Sequence, residues 1–160
     1  MNKLTAAPNP ERIEPIGEED LGANLWSTRI TFRHGHCDPA GIVYTPQFFH
    51  LFNRAIEEWF CGCLNINYYE ILGPRKTGLG YIEAKSHFFT PCRMGEVINA
   101  HISVERVGTT SYSLIVHGMK DGKEAVRGRF VTVTTSLDTH RPIRIPSDLR
   151  AALTSYAALT

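Results

Sequence analysis

The segment TPQFFHLFNRAIEEWF, residues 45–60, predicts a helix that other elements must surround. Thr45 can cap this helix, and Pro46 can occupy its first position, where a missing N–H costs nothing. Apolar side chains cover far more than a narrow stripe of its surface, namely Phe48, Phe49, Leu51, Phe52, Ala55, Ile56, Trp59 and Phe60. A helix with so broad an apolar surface is expected to be buried on most sides.

Runs of alternating apolar and polar residues on both sides of this helix predict five strands. One precedes the helix, at residues 26–33, and four follow it, at residues 79–90, 96–106, 110–120 and 124–137. The pair Asp121-Gly122 between the last two runs is a strong hairpin signal. Shorter helices are predicted within residues 65–72 and from Ser147 onward. The pattern therefore predicts an α+β fold in which a curved five-stranded antiparallel sheet wraps around one long helix.

The composition limits the classes of protein that this chain can belong to. Its 160 residues are 42% hydrophobic, which suits one domain over residues 25–160 preceded by a flexible arm over residues 1–24. A formal net charge of +1 argues against nucleic acid or an anionic membrane as the main partner. No run resembles a signal-peptide core or a membrane span, so we expect a cytoplasmic protein.

The stretch CDPAGIVYTP, residues 37–46, places the carboxylate of Asp38 on a tight loop just before the long helix. A charged side chain between apolar neighbours is either solvated at the surface or held in a cleft, and we favour the cleft. On local chemistry alone, an Asx turn closed by Asp38 ahead of Pro39 is an equally good interpretation.

The residues DPAGIVY, 38–44, followed by Pro46 at the junction of a strand and a long helix, closely resemble the signature of the 4-hydroxybenzoyl-CoA thioesterase family of hotdog hydrolases. The order of elements extends this resemblance over residues 26–150. It implies a hotdog fold and hydrolysis of an acyl-CoA thioester, with coenzyme A as part of the substrate and no separate cofactor. An open sheet leaves uncovered edges, so a homodimer is the expected minimum, and the family often forms homotetramers.

The resemblance also implies roles for individual residues. Asp38 would be the catalytic carboxylate, acting as a nucleophile on the carbonyl carbon or as a base for water. The backbone N–H of Thr45 would polarise that carbonyl, because helix N-terminal donors lack intrahelical partners. Gly41 would let the loop turn sharply. Supporting roles are expected for three neighbouring residues, His36, Tyr44 and Gln47.

The chain departs from the family pattern at two places. Thr45 stands where relatives acting on short acyl chains usually have a His, which argues against a short-chain substrate, and the motif as a whole favours an aromatic acyl group. The basic run that grips coenzyme A phosphates in the aromatic-substrate enzyme is replaced by Gly108-Thr109-Thr110. Thr109 and Thr110 are weak candidates for contacts with coenzyme A. Its phosphates could also be reached by nearby arginines, namely Arg106, Arg93, Arg127 and Arg129.

Other functions stay open at this stage. A hotdog hydratase or dehydratase would use a His, for which His36 or His50 is available, and a non-catalytic acyl-binding dimer needs neither His nor Asp. Short-chain acyl-CoA and acyl-carrier-protein thioesters are alternative substrates. Glu57 is a less favoured candidate for the catalytic base, because an ion pair with Arg54 explains its presence on the helix more readily.

No metal site is expected from the spacing of candidate ligands. His34 and His36, if on one strand face, could ligate a metal, but no third ligand stands at a recognisable spacing. The four cysteines, Cys37, Cys61, Cys63 and Cys92, form neither metal knuckles nor a disulfide framework and are expected to be buried or semi-buried thiols.

Overall fold

The computed structural model describes residues 13–160. The strands are β1 Ser27–Thr31, β2 Thr77–Phe88, β3 Val97–Val107, β4 Ser111–Lys120 and β5 Lys123–Ser136, and the helices are α1 Thr45–Gly62, α2 Tyr68–Leu72 and α3 Ser147–Ala157. Short 3₁₀ turns lie at Glu18–Asp20 and His34–His36. Within residues 13–160, no helix is both long and apolar enough to cross a bilayer.

The strands form one antiparallel sheet in the order β1-β3-β4-β5-β2. Register shifts interrupt three of its strand pairs, between Tyr81 and Glu83, between Val104 and Arg106, and between Gly118 and Met119. Such irregularities increase the local twist and bend of a sheet. The result is a curved sheet around α1, which confirms the predicted hotdog fold.

Helix α1 supplies much of the core through aromatic contacts with the sheet. The rings of Phe52 and Phe130 meet edge to face with centroids 6.3 Å apart, and Phe32 meets Phe48 at 5.6 Å. At Gly128 of β5, a Cβ atom would lie 2.8 Å from the Phe52 ring. Gly128 therefore lets the helix approach the sheet closely, and a larger residue there would push the two apart.

The start of α1 differs by one residue from the prediction. Thr45 is the first helical residue and Pro46 the second, while Tyr44 takes the capping position with an extended backbone and no capping side-chain hydrogen bond. The prediction that Thr45 caps the helix is therefore wrong. Pro46 tolerates either register, because the first N–H groups of a helix have no intrahelical acceptor.

Part of the segment that we expected to be loosely attached, at residues 16–18, is bound to the hairpin of β4 and β5. The N–H of Glu124 donates to the carbonyl of Ile16 at 3.0 Å, and the N–H of Glu18 donates to that of Gly122 at 2.9 Å. Residues 1–12 of the expected arm lie outside the described residues. The boundary between arm and domain stays a prediction.

Candidate active site

The loop between β1 and α1 turns tightly around Asp38. The N–H of Gly41 donates to the Asp38 carbonyl at 2.9 Å, and the Asp38 N–H donates to the carbonyl of Ile42 at 3.0 Å. Gly41 has a φ of +78°, a conformation that residues with a side chain rarely adopt. The structure thus requires glycine here for its backbone angle, since a Cβ would meet no atom within 4 Å.

The Asp38 side chain is half-buried, and its carboxylate accepts one hydrogen bond from residues 13–160. Its Oδ1 accepts a hydrogen bond from the N–H of Ala40 at 2.8 Å, which is the Asx turn that the local sequence suggested. Oδ2 accepts no hydrogen bond from residues 13–160. The Asx turn and a chemical role are therefore compatible, because the turn occupies one oxygen and leaves the other open.

The backbone N–H groups at the start of α1 differ in whether they already have an acceptor, and this distinguishes the candidate oxyanion donors. The Tyr44 N–H donates to the carbonyl of His36 at 2.9 Å, and that of Gln47 donates to the Tyr44 carbonyl at 2.8 Å. Pro46 has no N–H. The N–H of Thr45 has no acceptor within residues 13–160, and it lies at the positive end of the helix dipole.

An apolar cavity of about 280 Å³ adjoins this donor. Thr45 and Phe48 of α1 line one wall, and Phe88 and Phe89 at the end of β2 line another. The rings of Phe48 and Phe88 are 5.3 Å apart. The cavity can hold an apolar group beside the Thr45 N–H.

Cys92 also lines this cavity. Burial raises the pKa of its thiol to about 11, although nearby Lys120 acts in the opposite direction. The group is therefore a neutral thiol near pH 7 and a poor nucleophile, because the thiolate is the reactive form. All four cysteines are free thiols; Cys92 is buried and Cys37 and Cys63 are partly buried as expected, but Cys61 is exposed, so the predicted burial is wrong there.

His36 lies in a 3₁₀ turn, so the prediction that His34 and His36 share a strand face is wrong. The Nδ1 atom of His36 accepts from the N–H of Arg33 at 3.0 Å, and no hydrogen bond joins the His36 ring to Asp38. His36 acts on the loop through its backbone carbonyl, which holds Tyr44. Within the described range, no group of three potential ligands could hold a metal ion.

Glu57 has different partners from those predicted. Its carboxylate accepts from the Asn53 amide at 2.7 Å and from the Tyr69 hydroxyl at 3.2 Å. Arg54 pairs instead with Glu58, one helical turn away, at 3.1 Å. Glu57 is twelve residues beyond Thr45, a rise of about 18 Å along the helix. The structure therefore does not bring Glu57 and Asp38 together.

The residues suggested above as weak candidates for contacts with coenzyme A lie far in space from Asp38 of the same chain. Arg106, Thr109 and Thr110 lie at the Val107 end of β3, whereas the Asp38 loop adjoins the other end, where Ile42 pairs with Arg93. The length of β3 separates these ends by about 33 Å. The carbonyls of Thr109 and Thr110 accept backbone N–H groups of Ile145 and Thr134.

The alternative arginines differ in their pairing. Arg127 is bound to Glu124, and Arg129 to Glu83 and Glu105. These carboxylates neutralise both guanidinium groups. Arg93 is exposed, and its side chain has no carboxylate partner among residues 13–160.

The chain resembles known proteins in sequence profile and in fold. A profile described as the thioesterase-like superfamily matches residues 32–153. No curated protein sequence matches the chain. Several solved structures share its fold.

A thioesterase superfamily protein from Jannaschia is 24% identical with a TM-score of 0.77, over 84% of this chain and 94% of that one. A gentisyl-coenzyme A thioesterase is 23% identical with a TM-score of 0.73, over 80% and 99% of the two chains. A 1,4-dihydroxy-2-naphthoyl-CoA thioesterase from Synechocystis is 17% identical with a TM-score of 0.74, over 80% and 94%. At these identities the likeness demonstrates a shared fold.

Proposed function

The chain belongs to the thioesterase-like superfamily, and from this we propose that it hydrolyses the thioester of an acyl-coenzyme A. The observation that carries the proposal is that three features follow one another along the segment from Asp38 to Phe48. Within residues 13–160, one carboxylate oxygen of Asp38 accepts no hydrogen bond, the Thr45 N–H has no acceptor, and an apolar cavity adjoins Thr45. Together they offer a base or nucleophile, an oxyanion donor and space for an acyl group.

Two routes of hydrolysis fit this arrangement. As a general base, Asp38 takes a proton from water while the water oxygen attacks the thioester carbonyl. As a nucleophile, Asp38 attacks the same carbon and forms an acyl anhydride, which water then hydrolyses. In both routes the Thr45 N–H stabilises the oxyanion, the C–S bond breaks, and coenzyme A leaves as a thiolate that takes up a proton.

An aromatic acyl group is the proposed substrate class. Phe48, Phe88 and Phe89 line the cavity and can pack against a flat ring, with which aromatic side chains make favourable edge or offset contacts. Two of the structures with this fold are named as thioesterases of gentisyl-CoA and dihydroxynaphthoyl-CoA, both aromatic thioesters. Arg93 is the proposed contact for the coenzyme A phosphates, because it adjoins the Asp38 loop and its side chain has no carboxylate partner among residues 13–160.

We also propose that the protein functions as a homodimer or a homotetramer. Within residues 13–160, strand β2 lies at the edge of the sheet and pairs with β5 alone. It carries three exposed large apolar residues, Tyr81, Ile82 and Phe88. An open edge with apolar side chains favours pairing with another copy. Sedimentation analysis should give at least twice the monomer mass.

Release of free thiol from a panel of thioesters tests the function. The panel contains benzoyl-CoA, 4-hydroxybenzoyl-CoA, a short-chain and a long-chain acyl-CoA, and an acyl-carrier-protein thioester. We expect the highest kcat/KM for an aromatic acyl-CoA. Loss of the absorbance of a 2-enoyl thioester without thiol release would instead identify a hydratase, and no thiol release from any thioester would contradict the proposal.

A further inference from the structure

Glu124 is a charged side chain with no solvent-exposed surface, at the start of β5. The His117 ring donates to its Oε1 from Nδ1 at 2.8 Å, and Arg127 donates to both carboxylate oxygens. The N–H of Ile16 donates to Oε2 at 3.3 Å. A buried carboxylate is tolerated only when donors satisfy it in this way. One of those donors belongs to the N-terminal segment.

Residues 13–18, here called the N-terminal strap, are held to the sheet at several points. Besides the contact of Ile16 with Glu124, the strap is bound by the backbone hydrogen bonds to β5 and its preceding turn described above. The Glu18 carboxylate lies 3.2 Å from the His101 ring of β3. These contacts attach the strap to β5, to the turn before it and to β3.

Arg127 connects the strap to the apolar cavity. Its Nη2 donates to the carbonyl of Glu14 in the strap at 3.2 Å, and its guanidinium lies over the Phe89 ring at 5.5 Å from the centroid. Strap residues 13–15 and residues 86–89 also line a common groove. Phe89 lines both this groove and the apolar cavity beside Thr45.

We propose that Arg127 and the N-terminal strap hold Phe89 in place as a wall of the acyl cavity, and thereby determine which acyl groups the enzyme accepts. This inference rests on the proposed thioesterase function. Arg127 is a positioning residue, since it acts on the substrate through Phe89. With the wall held, a flat aromatic acyl group packs against Phe89, whereas a small acyl group gains little from it.

The test compares the ratio of kcat/KM for benzoyl-CoA to that for acetyl-CoA in the full-length wild type and Arg127→Gln. This ratio does not depend on the fraction of folded enzyme, so a loss of stability alone leaves it unchanged. We expect Arg127→Gln to lower the ratio at least fivefold. Arg127→Lys keeps a cation near Phe89 and Glu124 and should retain most of the wild-type ratio.

Arg129→Gln is the matched control. Arg129 lies two residues further along β5 and is also paired with carboxylates, but it contacts neither the strap nor Phe89. Its ratio should stay within twofold of the wild type. If Arg127→Gln does not fold, Phe89→Leu should lower the ratio while leaving the Glu124 cluster intact.

The outcomes separate the two proposals. An unchanged ratio in Arg127→Gln, or in Phe89→Leu where that variant replaces it, overturns the role of the strap while the thioesterase function stands. An equal fall for Arg129→Gln also overturns it. Absence of hydrolysis by the wild type overturns the proposed function itself.

Discussion

Asp38 and Glu124 show how differently one chain treats two carboxylates. Asp38 lies on a half-exposed loop, where one carboxylate oxygen accepts a hydrogen bond from Ala40 and the other accepts none from residues 13–160. Glu124 is fully buried, and donors from His117, Arg127 and Ile16 surround its two oxygens. An open oxygen can take a proton or attack a carbonyl, whereas a fully satisfied one stabilises the fold.

The first prediction concerns the Thr45 N–H, the proposed oxyanion donor. Thr45→Pro removes the N–H at a position where proline is favoured, so the helix should form normally. Loss of one oxyanion donor typically lowers kcat by about 100-fold, and we expect a loss of that order. Thiol release from benzoyl-CoA under saturating conditions measures it.

Ser147→Pro is the control for this substitution, because Ser147 is the first residue of α3. It should leave kcat within twofold of the wild type. If Thr45→Pro also kept wild-type kcat, the Thr45 N–H would not be the oxyanion donor.

The second prediction concerns Glu124. Glu124→Gln breaks a buried charge pair and should lower the free energy of unfolding by about 3 kcal/mol at pH 7, as measured by urea denaturation. The exposed Glu70→Gln, as control, should change it by less than about 0.5 kcal/mol. Equal stability of Glu124→Gln and the wild type would contradict the structural role of this carboxylate.

The same variant has a predictable pH dependence. Burial acts to raise the pKa of Glu124, but hydrogen bonds from His117 and Arg127 outweigh it and hold the pKa below its ordinary value of 4.5. The carboxylate therefore contributes its full stability above that value and loses it as the pH falls through the folded-state pKa. The stability difference between wild type and Glu124→Gln should shrink in acid, and a difference that grew would show the opposite sign.

The smallest expected effect is that of Gly41→Ala in the Asp38 loop. A side chain at a φ of +78° costs about 1 kcal/mol, so the loop should shift and kcat should fall a few-fold. Gly35→Ala, in open space without a positive φ, should match the wild type. Identical kcat values for the two variants would mean that the loop conformation does not position Asp38.

The comparison also marks the limit of what the sequence predicts. Alternation and turn residues predicted the strands within a few residues, and the local motif predicted the Gly41 turn and the Asx turn of Asp38. The Glu124 cluster was not predicted, because it depends on sheet register, which places His117 opposite Arg127. The sequence also did not predict the packing of residues 13–18 or the contact of Glu57 with Tyr69. Each of these contacts joins segments that are distant in sequence and share no local pattern.

The most direct test of the account is the rate of thiol release by Asp38→Asn, measured beside the wild type and Asp138→Asn. The amide oxygen of the substituted side chain can still accept the Ala40 hydrogen bond, so the loop should persist, but the amide can neither take a proton nor attack. We expect Asp38→Asn to keep its circular dichroism and oligomeric state but to lose kcat by at least about a hundredfold, while the exposed Asp138→Asn stays within twofold. Hydrolysis at the wild-type rate by a folded, oligomeric Asp38→Asn protein would contradict it.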